Sequence, residues 1–89
     1  MKAYTYILRC ANGQYYVGST SNLQLRIKEH NAGECIFTKA HLPVQLVYFE
    51  EYSTKEEAWS REKQLKGWKR KKKEMLINGE IGKMNMKNK

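Results

Sequence analysis

A carboxylate at position 62 falls where an apolar side chain is due. Ala58, Glu62 and Leu65 recur at helical spacing, so Glu62 rides the inward stripe of its helix. A lone buried carboxylate is costly unless it meets a cation, a hydrogen-bond network or a metal ion. An ion pair with Arg26 or Lys66 would satisfy it, and so would a reactive site; spacing leaves these even. Arg26 sits three residues after Leu23 and four before His30, beside the apolar stripe of another helix. A guanidinium there is, on its own, more often a fork for a carboxylate than a catalytic group. Taken singly, His30 reads as a helix-end ring bonded to backbone, Tyr6 and Tyr16 as strand aromatics, and His41 as a surface residue. Cys10 and Cys35 make neither a C-x-x-C pair nor a disulfide framework, and with two histidines they are too few to hold zinc easily.

Charge names a partner class. The 89 residues carry 17 Lys+Arg against 9 Asp+Glu, a net charge of +8. Residues 1–54 hold five cations and four anions, whereas residues 55–89 hold twelve and five. Lys66, Lys69, Arg70, Lys71, Lys72 and Lys73 put six cations into eight residues, with Trp68 among them. Such a surface attracts phosphate backbones and gains entropy by releasing their counterions. Trp68 could stack on a base, but Leu65, Trp68, Lys72 and Met75/Leu76 recur at helical spacing, which favours a core role. A polyanionic partner is the expectation.

The elements that must position these residues fit one small domain. At this length a chain hides only about 60–65% of its unfolded surface, so the core is small. Ten aromatics argue against disorder, and no apolar run nears the ~18–20 residues of a membrane span. The N-terminus lacks the apolar core of a signal peptide. A soluble, cytoplasmic protein with reduced thiols and no membrane partner is expected.

Tyr4 to Cys10 reads as a strand with Tyr4, Tyr6, Leu8 and Cys10 on one face. Ala11-Asn12-Gly13 is turn chemistry, and Tyr15 to Gly18 returns as a second strand. A two-residue turn would put Tyr15 on the Tyr6 face; a three-residue loop with a left-handed Gly13 would put Tyr16 there and set Gly18 opposite Tyr6. Ser19-Thr20-Ser21-Asn22 caps a helix over about 22–31, with Leu23, Ile27 and His30 inward. A loop over 34–43 leads to a third strand, 44–52, with Val44, Leu46 and Tyr48 on one face and Val47 and Phe49 on the other. Helices are expected to cover both faces. Ser53-Thr54-Lys55-Glu56 opens a helix to about Lys66, and another runs from Trp68 to Ile77, capped by Asn78-Gly79. The fold class is α+β: a small antiparallel three-stranded sheet flanked by helices, in the order ββαβαα. Residues 1–80 form the domain and 81–89 a basic tail, expected to be frayed.

Taken together, these residues resemble the GIY-YIG nuclease superfamily. The resemblance is closest to the small single-domain branch related to the N-terminal nuclease domain of excinuclease C. It rests on Tyr6-Ile7-Leu8-Arg9, Tyr16-Val17-Gly18-Ser19-Thr20, Arg26-Ile27-Lys28-Glu29-His30-Asn31, Leu46-Val47-Tyr48 and Arg61-Glu62-Lys63-Gln64-Leu65-Lys66-Gly67-Trp68. These run in order from Tyr4 to about Ile77. The first motif keeps only its tyrosine, as Tyr4-Thr5-Tyr6, and Val17 replaces isoleucine in the second. Neither change removes a reactive group.

The resemblance implies a divalent-metal-dependent endonuclease acting on DNA, in repair or recombination. Glu62 would hold one Mg²⁺ or Mn²⁺, with water and substrate phosphate filling most of the shell. Arg26 would grip the scissile phosphate. Tyr6 would act as general base or water-positioner with Tyr16 as its partner, activated by Arg26, His30 and the metal. Gly18 would leave room for the phosphate, and Lys66 with the cations at 69–73 would follow the flanking backbone. Tyr6 and Tyr16 must then share a face, which requires the three-residue hairpin loop. The chain has no room for a separate DNA-targeting domain, so a targeting partner protein would fit. That lack also suits a second reading, a nucleic-acid-binding module that cuts little or nothing. A third treats the polar residues as an ion-pair cluster completing the core.

Overall fold

The computed structural model describes residues 2–80; the basic tail expected at 81–89 lies outside the described residues. Strand β1 (Ala3–Arg9) and strand β2 (Tyr15–Thr20) form the hairpin. Between them Gly13 takes φ +88° and donates its N–H to the Cys10 carbonyl at 2.9 Å, while Cys10 N–H bonds the Gln14 carbonyl at 2.8 Å. This is the three-residue loop, with glycine in the left-handed conformation that side chains resist. Tyr6 therefore faces Gly18, Leu8 faces Tyr16, and both tyrosines lie on one side of the sheet.

Helix α1 (Leu23–Asn31) starts at Asn22, whose side chain accepts the Leu25 N–H, and its Leu23 and Ile27 pack on Tyr6, Leu8, Cys10 and Val44. The following loop contains one turn of 3₁₀ helix at Lys39–His41. The Asn31 amide then ties the helix to the next strand, accepting Val44 N–H at 2.8 Å and donating to the Val44 carbonyl.

Strand β3 (Gln45–Tyr52) pairs with the free side of β1, giving an antiparallel sheet ordered β2-β1-β3. Its faces differ from the simple alternation read in the sequence. Ile7 faces Tyr48 but Leu8 faces Leu46, so one extra residue is bulged into β3. Val47 and Tyr48 consequently both join the far core with Ile7 and Val17, and Phe49 comes to the Tyr6 side, edge-on to Tyr4.

Helix α2 (Lys55–Lys66) is capped by Thr54, which accepts the Glu57 N–H, and ends at Gly67. Helix α3 (Arg70–Ile77) begins two residues later than its apolar pattern suggests, with Trp68 in the link. Leu65 and Leu76 close the second core over Ile7 and Val17, with Trp68 packed beside them. The sheet is thus covered on both faces, by α1 and its loop on one and by α2 and α3 on the other. No helix among the described residues is long and apolar enough to cross a membrane.

Candidate functional site

On the α1 face of the sheet, the side chains of Tyr6, Tyr16, Arg26, His30 and Thr38 meet beside Gly18. Tyr6 and His30 are both fully buried, with the Tyr6 hydroxyl 3.1 Å from His30 Nε2. The other ring nitrogen, Nδ1, lies 2.9 Å from the hydroxyl of buried Thr38. Arg26, one turn before His30, lies close enough to the Tyr6 hydroxyl for its charge to act on it, and it pairs with Glu29 at 3.1 Å. The Tyr16 ring packs edge-on to His30 at 5.1 Å and tilted against Tyr6 at 6.4 Å. Gly18 is required by contact: a β-carbon there would sit 2.5 Å from the Tyr6 hydroxyl oxygen. The space that Gly18 leaves is filled by Tyr6 itself, rather than lying open beside it for a phosphate.

Burial sets the ionisation. It pushes the Tyr6 hydroxyl up to about 12, and Arg26 only partly opposes it. Burial also lowers His30 from its ordinary value, with the Arg26 charge adding to the effect. His30 is therefore a neutral imidazole carrying one ring proton. Nε2 faces the Tyr6 hydroxyl and Nδ1 the Thr38 hydroxyl, and because each hydroxyl can donate or accept, the tautomer with Nδ1–H on Thr38 leaves Nε2 open to the Tyr6 proton. Burial pushes the Cys35 thiol up, yet hydrogen bonds from Phe37, Thr38 and Tyr16 outweigh it and leave it below its usual value. Cys35 and Thr38, neither a candidate in the sequence, belong to this network. Their signal was hidden in a loop with no periodicity.

Glu62 stands across the sheet edge from this pocket. It rises from α2 on the opposite face, where Ser19, next to Gly18 on the edge strand β2, donates to its Oε1 at 2.6 Å. Its other oxygen pairs with Lys66 Nζ at 2.7 Å, the second of the two ion pairs that its spacing allowed. The Glu62 side chain is 14% exposed and that of Lys66 52%. Tyr16 links the two sides, since both the Arg26 and the Glu62 charges act on its hydroxyl.

The donor set suits a hard divalent cation: a carboxylate with a hydroxyl beside it. No group of three or more His, Cys, Asp or Glu gathers among the described residues, so water and phosphate would fill most of a metal's shell. Lys66 is exposed enough to swing aside.

The fully buried cation of α2 is Arg61, not a neighbour of the pocket. Its Nε and Nη2 bond the buried Glu50 carboxylate at 2.9 and 3.1 Å, and the Tyr48 and Tyr52 hydroxyls donate to the same carboxylate. The basic segment is also displaced from the pocket. Arg70 lies over Tyr15 and pairs with Glu74, and Lys72 lies over Trp68, all on the α3 side of the sheet.

Residues 2–75 match the family model described as the GIY-YIG catalytic domain. A UPF0213 protein of Bacillus pumilus is 45% identical over 75 residues, spanning 83% of this chain and 76% of its own. Another, from Natronomonas pharaonis, is 41% identical over 80 residues, spanning 89% and 94%. The solution NMR structure of a UPF0213 protein from Bacillus halodurans superposes with a TM-score of 0.58 at 38% identity, over 88% of this chain and 84% of that one. A protein of E. faecalis, also solved by NMR, gives a TM-score of 0.61 at 28% identity over 100% and 92%.

Proposed function

The chain belongs to the GIY-YIG family, among its small UPF0213 proteins, and from that premise we propose that it is a divalent-metal-dependent endonuclease cutting phosphodiester bonds in DNA. The observation that carries this reading is the hydrogen-bonded set of Tyr6, His30 and Thr38, with the Arg26 charge acting on the Tyr6 hydroxyl, beside Tyr16 and Gly18.

Phosphodiester hydrolysis needs an activated water and positive charge on the transferring phosphate. Arg26, always cationic, binds the scissile phosphate and offsets its growing charge. Tyr6 with a pKa near 12 would be ionised to only about one part in 10⁵ at pH 7, so it is a poor base alone. Coupled to His30 it need not ionise beforehand. Once substrate binding admits water to the buried Tyr6 hydroxyl, that oxygen accepts a proton from the water as it passes its own to Nε2 of the His30 tautomer whose Nδ1–H is held by Thr38. Glu62 would hold one Mg²⁺ or Mn²⁺, which supplies a lowered pKa for bound water and charge on the leaving oxygen.

One observation favours the second reading, a binding module that does not cut: the Glu62 carboxylate is already engaged by Lys66 and Ser19. Plasmid nicking decides between them. The endonuclease nicks with Mg²⁺ or Mn²⁺, stops in EDTA, and loses activity in Glu62→Ala. Binding without any metal-dependent nicking would overturn the proposal and leave the module.

A further inference from the structure

The loop after α1 ends in a turn whose composition is the reverse of what turns use. Thr38 N–H bonds the Cys35 carbonyl at 3.2 Å, and Lys39 N–H bonds it at 2.9 Å. Both corner residues are buried. Cys35 is 6% exposed, and Thr38 is fully buried against His30. The two residues between them project outward, Ile36 at 80% and Phe37 at 75% exposed. Turn tips ordinarily carry Gly, Asn, Asp, Ser or Pro, because they meet water. Here two large apolar side chains stand at the tip of a turn pinned at both corners. Their exposure is held in place by the fold.

The tip is joined to the Tyr6–His30 cluster through Tyr16. The Phe37 ring is stacked on Tyr16, with centroids 6.3 Å apart and planes inclined by 26°. Tyr16 in turn touches both Tyr6 and His30. The outer face of Phe37 therefore continues a row of rings that leads out from the phosphate-gripping residues.

We propose that Phe37 is a stacking platform for an unpaired nucleobase of the strand held in the pocket, with Ile36 as the wedge beside it. This inference rests on the reading of the pocket as a phosphodiester site. Size selects the occupant. A two-residue apolar tip is far below the roughly 800 Å² per partner of a stable protein interface, whereas one ring face matches one base. Charge alone does not select the occupant, because Arg26 and the exposed Lys39 stand with Glu29 and Glu34, but a nucleotide brings its own phosphate for either cation to meet. A base inside a duplex has both faces covered by its neighbours. Phe37 thus selects nucleic acid with an unpaired or splayed nucleotide next to the bond to be cut.

The test compares two single-stranded 12-mers of equal charge, one of thymidine and one wholly abasic, bound by the full chain in EDTA so that nothing is cut. Wild-type protein should bind the thymidine strand more tightly than the abasic one. Phe37→Ala should shrink that ratio by roughly tenfold, and Phe37→Trp should restore it. Because both strands carry the same phosphates, a change in charge or a partly unfolded variant would weaken both and leave the ratio alone. A ratio unchanged in Phe37→Ala overturns the proposal. So does a wild-type dimer that Phe37→Asp dissociates in sedimentation, since the tip would then serve a second copy of the chain. Failure to nick DNA would remove the endonuclease and leave this ratio standing, so the two readings fail separately.

Discussion

A β-carbon built on Gly18 would lie 2.5 Å from the Tyr6 hydroxyl oxygen, 2.7 Å from Cζ and 3.1 Å from Cε2 of Tyr16. Something must move, and the ring in the way is itself packed in the core. Gly18→Ala should therefore displace the hydroxyl from His30, cutting the nicking rate at least about tenfold while stability falls by about 1–3 kcal/mol from overpacking. Nicking rates and thermal melts on one preparation check both numbers. His30 gives a second outcome at this scale. As acceptor of the Tyr6 proton it must be neutral, and burial holds it below its ordinary 6.5. Activity should hold through neutral pH and fall only as pH drops through that lowered value. His30→Gln should remove this limb from the pH–rate profile and slow the neutral rate by about 10²-fold or more. A limb that persists in His30→Gln would assign the base elsewhere.

Among the elements, α2 and β3 are joined by a buried charge pair whose worth lies in being complete. Arg61→Met would leave the Glu50 carboxylate buried against two phenols with no cation, a loss of about 3–5 kcal/mol in chemical denaturation. The pair also sets an acid limit. Burial pushes the Glu50 carboxyl up, but hydrogen bonds from Arg61, Tyr48 and Tyr52 outweigh it and hold it below 4.5. A carboxyl depressed on folding contributes stability above its unfolded pKa and loses it as pH falls through the folded value. Glu50→Gln should therefore flatten stability against pH below about 4.5. Sequence could not have found this pair. Arg61 and Glu62 are neighbours on the same helix edge, and periodicity does not say which turns inward when the deciding partner is on another strand. The same limit hid the bulge in β3, since one extra residue in an apolar strand leaves no trace in composition. What was legible was local. The cap candidates at 19–22 and the box at 53–56 announced their helices, although the second cap is Thr54, one residue later than that box places it, and the strands showed their apolar faces. The hairpin loop was open to two lengths until the family resemblance, which needs Tyr6 and Tyr16 on one face, required the longer one.

Across the whole molecule, the cations of α3 and the Tyr6–His30 cluster sit on different sides of one thin sheet. The pocket of Tyr6, Arg26 and His30 lies on the α1 face, and the cations of α3 lie behind the opposite core of Ile7, Val17 and Leu76. A strand bound in the pocket must pass around the β2 edge, by Ser19 and Glu62, before it meets them. Charge on α3 should then govern how often nucleic acid is held and how salt weakens it, without touching the rate of the bound complex. Lys69 and Lys71 are exposed, whereas Arg70 and Lys72 also cover aromatic rings, so the first two separate charge from packing. Replacing both with Gln should lower the slope of log affinity against log salt by roughly one for each phosphate no longer neutralised. Single-turnover cleavage at saturating protein should be unchanged. If that rate falls together with the salt slope, the strand reaches α3 and the pocket at once, and the two faces act as one site.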